Sequence, residues 1–313
     1  MTNEILMLTQ FNPYDLCPCD SGRKAKFCCL AGKTWNKKPA FLKPESPITG
    51  FAHQKCYAKQ TDNCCTKISG EHFISKNILK KLEHNKTVKV VGLPRQKRQT
   101  FNLLPIKSLI SNVLCIKHNN LLSPFDAEMG RLHENIAKFD EDFNSGNPKN
   151  DLAVFCGEDI EKWMIKTACS LIASNQICVD GEKTSCILQD EYIDILFNDK
   201  PLPDKWGMYF KIPEDKLIQK FHSILFRPWV VNNELEATEF LLNNFPFYIV
   251  LGQPDTPSDF GMYRPGKIIM TQGEITKTII FCWQDKKYNE SISMKRVGTT
   301  TEPPSEWEEY LKN

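Results

Sequence analysis

The residues best equipped for chemistry in this chain are cysteines, and they come in two groups. The first reads CPCDSGRKAKFCC: Cys17 and Cys19 stand one residue apart, and Cys28 and Cys29 follow after eight intervening residues. Four thiolates so close in sequence can close a tetrahedral site around one Zn²⁺. Asp20-Ser21-Gly22 supplies the turn that doubles the chain back between the pairs. A peptide this short buries no core of its own, so metal ligation would supply its folding energy. The second group opens with HQKCYAKQTDNCC and resumes at LCIKHNN. Cys115 and His118 lie three apart at the head of a helical stripe (Leu121, Leu122, Phe125, Met129, Leu132), so both project to one side. Cys56 and Cys64 are the candidates for the other two ligands, with Cys65 an alternative to Cys64. The remaining five of the thirteen cysteines (Cys156, Cys169, Cys178, Cys186, Cys282) are scattered among apolar residues and read as small core side chains.

Three regions must position these groups. Residues 1–35 form the cysteine-rich head, and residues 36–49, NKKPAFLKPESPIT, read as an extended linker. Residues 50–148 hold the second group and end in turn-rich NSGNPKND. Residues 151–313 have no metal-like spacing. They open on GEDIEKWMIKTACSLIAS, where Ile160, Trp163, Met164, Thr167, Ala168 and Leu171 recur at helical spacing. Beyond it YIDILF, GMYFKI, FPFYIVLG, GKIIMTQG and KTIIFCW read as strands. DKLIQKFHSILF and NELEATEFLLNN read as two further helices. The aromatics Trp229, Phe245, Phe247 and Tyr248 are assigned to the core. The fold class is therefore α+β, with a mostly antiparallel sheet in the C-terminal domain.

Composition bounds the function. At 313 residues, 41% hydrophobic and 25% charged, the chain is globular, with room for two ordinary domains or one large one. No apolar run approaches the roughly 18 residues that cross a bilayer. MTNEILMLTQ carries an acid and lacks a basic stretch ahead of an apolar one, so a secretory signal is not expected and a cytoplasmic location is. In a reducing compartment clustered cysteines point to metal rather than disulfides. The net charge of +2 is unevenly spread: residues 1–150 hold 23 Lys and Arg against 13 Asp and Glu, a surplus of ten. A basic first half suits a polyanion, and nucleic acid is the expected partner. RQKRQ, Arg95 to Gln99, offers cations to phosphates. The acidic second half is not expected to touch DNA directly; it could instead pack on the basic half and restrain it.

Two family resemblances follow from these residues. Cys17, Cys19, Cys28, Cys29, Gly22 and Lys24 match the SEC-C motif, a small zinc module known from the tail of the SecA translocation ATPase, over some 20 residues. It implies docking or recruitment of a protein or nucleic-acid partner. Between the second set of ligands lies KISGEHFIS, with Glu71 and His72 side by side. An acid–His pair on a hairpin between two zinc knuckles resembles the HNH nuclease family, with its treble-clef, ββα-metal core. Leu114, Cys115, His118 and Asn119 match that family's second knuckle, with His in place of the second Cys, and the resemblance covers about residues 52–140.

What the HNH resemblance implies is metal-dependent hydrolysis of phosphodiester bonds, in DNA ahead of RNA, in a host-defence or toxin setting. His72 would be the general base, Glu71 a ligand of Mg²⁺ or Mn²⁺, and Asn119 the ligand carried by the helix. Asn112 fills the family's middle Asn position only with a shifted register. A base of near-neutral pKa and one hard cation meet the chemical need, while thiolates sort to zinc. The sequence departs from the family in the C-x7-C spacing of its first pair. It also has a long separation from His72 to Cys115, read as an inserted hairpin (KTVKVVG and RQTFNLLPI). The rival expectation is a non-catalytic, zinc-stabilised nucleic-acid-binding or adaptor protein. The oligomeric state is not legible.

Overall fold

The computed structural model describes residues 11–40, 42, 47–91, 101–147, 151–179, 182–212, 215–220, 223–254, 256–285 and 288–300. The basic run Arg95 to Gln99 lies outside them.

The chain opens with a two-stranded ribbon, β1 (Leu30–Ala31) and β2 (Thr34–Trp35), directly after the first cysteine cluster. A second unit follows: β3 (Ile68–His72), helix α1 (Lys76–Leu82), the small hairpin β4 (Val88–Val90) with β5 (Asn102–Leu104), and β6 (Ile110–Cys115). β6 runs antiparallel to β3 and leads straight into α2 (Ile116–Leu121) and the long α3 (Ser123–Ser145). The β4–β5 pair is the hairpin expected between His72 and Cys115. α3 carries a continuous apolar stripe, Phe125, Met129, Leu132, Ile136, Phe139 and Phe143, all of it buried. It ends at Gly146, whose φ of 69° provides the left-handed stop.

Next come β7 (Asp151–Cys156), α4 (Gly157–Ala173), the short pair β8 (Cys178–Val179) and β9 (Glu182–Lys183), and α5 (Asp190–Phe197). Then follow β10 (Gly207–Phe210), β11 (Lys216–Lys220), β12 (Ile224–Val231), β13 (Glu234–Leu242), β14 (Phe245–Val250), β15 (Met262–Tyr263), β16 (Lys267–Gln272), β17 (Ile275–Cys282) and β18 (Ser291–Thr300). They form two five-stranded sheets. One is wholly antiparallel, in the order β12-β13-β14-β10-β15. The other is mixed, β11-β18-β16-β17-β7, with only β16 and β17 antiparallel. The class is α+β with mostly antiparallel pairing.

Three readings of local structure are corrected. NELEATEFLLNN is no helix but strand β13. DKLIQKFHSILF likewise holds strands, β11 and the start of β12. The residues that decide this are the paired asparagines Asn232-Asn233 and Asn243-Asn244, with φ of 51° and 65°, and 48° and 72°. Each pair is the two-residue loop of a hairpin, joining Val231 to Glu234 and Leu242 to Phe245. Conversely, YIDILF is α5: Asp190 and Glu191 occupy its first turn, and Tyr192, Ile193, Ile195 and Leu196 make its buried side. Phe245 and Phe247 enter the core as expected, whereas Trp229 and Tyr248 are only partly buried and cluster with Tyr209, Phe260 and Tyr263.

One contiguous core runs from Leu42 to Met294 and joins the second unit to both sheets. α4 is its axis, buried on nearly all sides, and it packs on α3, α5, β6, β7, β10 and β14. The linker segment is strapped to this body. Lys37 pairs with Glu128 of α3 at 2.6 Å, and the Ala40 N–H donates to Asp159 of α4 at 3.0 Å. The first cysteine module packs on the exposed edge of the mixed sheet. Cys17, Cys19, Cys29 and Trp35 lie against Val154, Ile280 and Cys282. The Val154 N–H of edge strand β7 donates to the Pro18 carbonyl at 3.2 Å, and Arg131 donates to the Val154 carbonyl.

Candidate metal centres and the Glu71-His72 site

The two centres are built by local chain geometry. In the first, the Asp20 N–H donates to the Cys17 carbonyl and the Cys17 N–H to Arg23, with Asp20 and Gly22 at φ of 57° and 71°. That turn folds Cys17 and Cys19 back onto Cys28 and Cys29. The Sγ atoms of Cys19 and Cys28 lie 3.5 Å apart, and those of Cys28 and Cys29 3.7 Å apart. Zn–S bonds of about 2.3 Å place tetrahedral sulfurs roughly 3.8 Å from one another, so the spacing fits. Hydrogen bonds from Cys29 and then Ser21 hold the Cys19 thiol down at about 3. Burial pushes Cys17 up to about 11.

In the second centre the Tyr57 N–H donates to the Val113 carbonyl at 2.8 Å, fastening the loop of Cys56 and Cys64 to β6. Cys115 ends β6 and His118 sits in the first turn of α2. His118 Nδ1 lies 3.2 Å from Cys115 Sγ, 3.4 Å from Cys56 Sγ and 3.8 Å from Cys64 Sγ. Its Nε2 lies 3.0 Å from Thr61 Oγ1, the second contact that orients a ligating imidazole and fixes its tautomer. Burial, reinforced by Lys117, lowers the His118 pKa to about 4, which keeps the ring neutral and ready to ligate. Burial raises both the Cys56 and the Cys64 thiols. The choice between Cys64 and Cys65 is settled by direction. Cys65 is half-exposed and its Sγ accepts the Lys117 N–H at 3.4 Å, outside the cluster.

These are the two groups positioned to hold metal ions among the described residues: Cys17, Cys19, Cys28 and Cys29, and Cys56, Cys64, Cys115 and His118. Both are compatible with zinc in ligand type and spacing.

Glu71 and His72 end β3, and a bulge governs where they point. Ser69 pairs with Leu114 but Glu71 pairs with Ser111, so Asn112 and Val113 together oppose Gly70. Glu71 is 3% exposed and its Oε1 lies 2.7 Å from Lys166 Nζ of α4. The same ammonium bonds both oxygens of Asp126 in α3, at 2.6 and 2.7 Å. Ser75 donates to Asp126 at 2.5 Å and accepts from Trp163 Nε1 at 2.6 Å. The result is one buried polar chain: Glu71, Lys166, Asp126, Ser75, Trp163. Burial raises the Glu71 carboxyl, and Lys166 opposes the rise. His72 is half-buried beside this chain. Burial first, then the charges of Lys76 and Lys166, lower its pKa, with Asp126 acting the other way.

No protein-family model, curated protein or solved structure matches the chain. Its chemistry is read from these contacts alone.

The residues expected to hold Mg²⁺ or Mn²⁺ do not fit that role. Glu71 faces an ammonium, and Asn119 spends its amide on Ser69 Oγ at 2.8 Å. Glu71, His72 and Asp126 form no third converging group among the described residues. Asn112 is exposed in the bulge, near His53, Lys55 and Ile68, and its cross-strand neighbour is not His72, which pairs with Ile110. The sequence reading missed Ser75, Asp126, Trp163 and Lys166. One signal was available: Lys166 is a charge set among Ile165, Thr167 and Ala168 in a helix that is otherwise buried, and such a charge demands a partner.

Proposed function

We propose that this chain is a zinc-stabilised phosphodiester hydrolase acting on nucleic acid, with DNA preferred to RNA, that resembles the HNH type in its His base and departs from it where Glu71 and Asn119 are spent on other partners. In this reading the second centre is a treble-clef knuckle and the first a SEC-C-like module. His72 is the base that takes the proton from the attacking water. The observation that carries it is the half-buried His72 with its lowered pKa, hence neutral at physiological pH, beside an ion-paired carboxylate and lysine. A neutral imidazole at the rim of such a cluster is poised for general-base work. Asp126, 27% exposed in its side chain, gives the cluster its opening to solvent. No step is assigned to a divalent ion.

A second reading is favoured by one observation. Lys166 is already shared between Glu71 and Asp126, the arrangement of a structural tie in a nucleic-acid-binding or adaptor protein without catalysis. The deciding assay is cleavage of plasmid DNA and of RNA by the zinc-loaded full chain and by His72→Ala, with and without added Mg²⁺ or Mn²⁺. Cleavage lost in His72→Ala supports hydrolysis. Equal cleavage in both, or none in either, overturns it in favour of the second reading.

A further inference from the structure

The first cysteine module is buried on one side against β7 and β17, and its other side presents exposed rings and cations. Tyr14 is 57% exposed, Leu16 69% and Phe27 60%, all within one small module. Basic residues interleave with them: Arg23 and Lys24 are exposed, and Lys26 is half-buried. The interleaving is structural as well as sequential. Leu16 bridges Lys24 across the turn, and the Lys26 N–H donates to the Pro13 carbonyl at 3.0 Å. Lys26 Nζ stands 3.7 Å from the Tyr14 ring centroid and 4.5 Å from that of Phe27, one ammonium flanked by two rings. Of the two acids among the module's described residues, Asp20 pairs with Arg131 of α3 at 3.4 Å and Asp15 accepts from Asn12 within the module at 3.2 Å.

We propose that this face of the module binds single-stranded nucleic acid, with unpaired bases stacking on Tyr14 and Phe27 and phosphates taken by Arg23, Lys24 and Lys26. Exposed rings alternating with cations are the features by which single strands are held without sequence preference. A duplex offers phosphates but no free base faces, so the rings select against it. Lys26 leaves its place between the rings and turns to a phosphate when a base enters. The four cysteines fold the surface and the packing on β7 orients it. The site stands apart from His72, and its occupancy does not depend on cleavage.

The test is fluorescence anisotropy with a labelled oligothymidine and a labelled hairpin duplex, using the zinc-loaded full chain in a His72→Ala background so that no cleavage intervenes. The oligothymidine should bind more tightly than the duplex, with an affinity that falls as salt rises. Each of Tyr14→Ala and Phe27→Ala should weaken binding about tenfold, the effect of losing one stacked base. Lys24→Glu with Lys26→Glu should weaken it further and flatten the salt dependence. The replaced residues lie on the surface, and metal content equal to the parent's will certify the fold. Binding unchanged in all three variants, or no binding by the parent, overturns the proposal. Binding to vesicles of anionic phospholipid but not to the oligothymidine would give the face to a membrane and equally overturn it. Loss of cleavage in His72→Ala with oligothymidine binding retained separates this site from the catalytic reading.

Discussion

Replacing Lys166 by Met tests the polar chain at its centre. The ammonium is 3% exposed and lies 2.7 Å from Glu71 and 2.6 Å from Asp126. Met fills the space of the stem but leaves two carboxylates facing each other. Asp126 is 27% exposed and keeps water, so its share of the penalty is small. Glu71, 3% exposed, has no such recourse. Breaking a buried pair by removing one partner costs about 3–5 kcal/mol, and the lower end applies with one carboxylate still hydrated. The sign of the pH dependence follows from Glu71. Its folded-state pKa already lies above the ordinary 4.5 through burial, and Lys166 is what opposes that rise. Without Lys166 the folded state takes up a proton that the unfolded state releases. The penalty is therefore full at pH 8, shrinks as pH falls through the raised folded-state pKa, and is gone below the ordinary glutamate range. Urea denaturation of both proteins at pH 8 and at pH 5 reads this directly, and Glu71→Gln in the Lys166→Met background should restore most of the loss at pH 8. A Lys166→Met protein as stable as its parent at pH 8, or one whose deficit does not change with pH, would refute the reasoning.

Metal analysis should find two zinc ions per chain; Cys64→Ser should hold one, and Cys65→Ser both, because of these two neighbours it is Cys64 whose Sγ faces His118. If His72 is the base, the acidic limb of kcat/KM for cleavage should lie below the ordinary imidazole value of 6.5, since burial and two lysines favour the neutral ring; a limb above it would count against that role. Glu128→Ala should loosen the strap, because Glu128 holds Lys37 at 2.6 Å, Arg131 at 3.3 Å and the Cys156 N–H at 2.9 Å. Leaving Lys37 and the Cys156 N–H without this partner costs about 3 kcal/mol in urea denaturation, and early cleavage by trypsin near Lys37 and Lys38 should accompany it.

The pairs within the two groups positioned to hold metal were legible because their information is local. C-x-C, C-C and C-x-x-H each sit on one turn, and a turn fixes its own geometry. The choice of Cys64 over Cys65 was not local: it depends on the Lys117 N–H that turns Cys65 aside. The two misread helices show propensity overruled by hairpins, and the paired asparagines at both ends of β13 were a readable warning. The boundary drawn near residue 150 separated Glu71 from Lys166 by 95 positions, so no spacing rule could bring them together. Residue types single out Glu71 as a candidate, but only α4 packed on α3 and β6 reveals that its partner is an ammonium.

β7 is an edge strand of a five-stranded sheet, and such edges recruit other chains unless they are blunted. Here the first cysteine module does the blunting: Pro18 takes the Val154 N–H and Arg131 the Val154 carbonyl. If zinc supplies that module's folding energy, metal supply and self-association are joined in one device, and metal-starved protein should lose solubility in a concentration-dependent way before it loses its sheets.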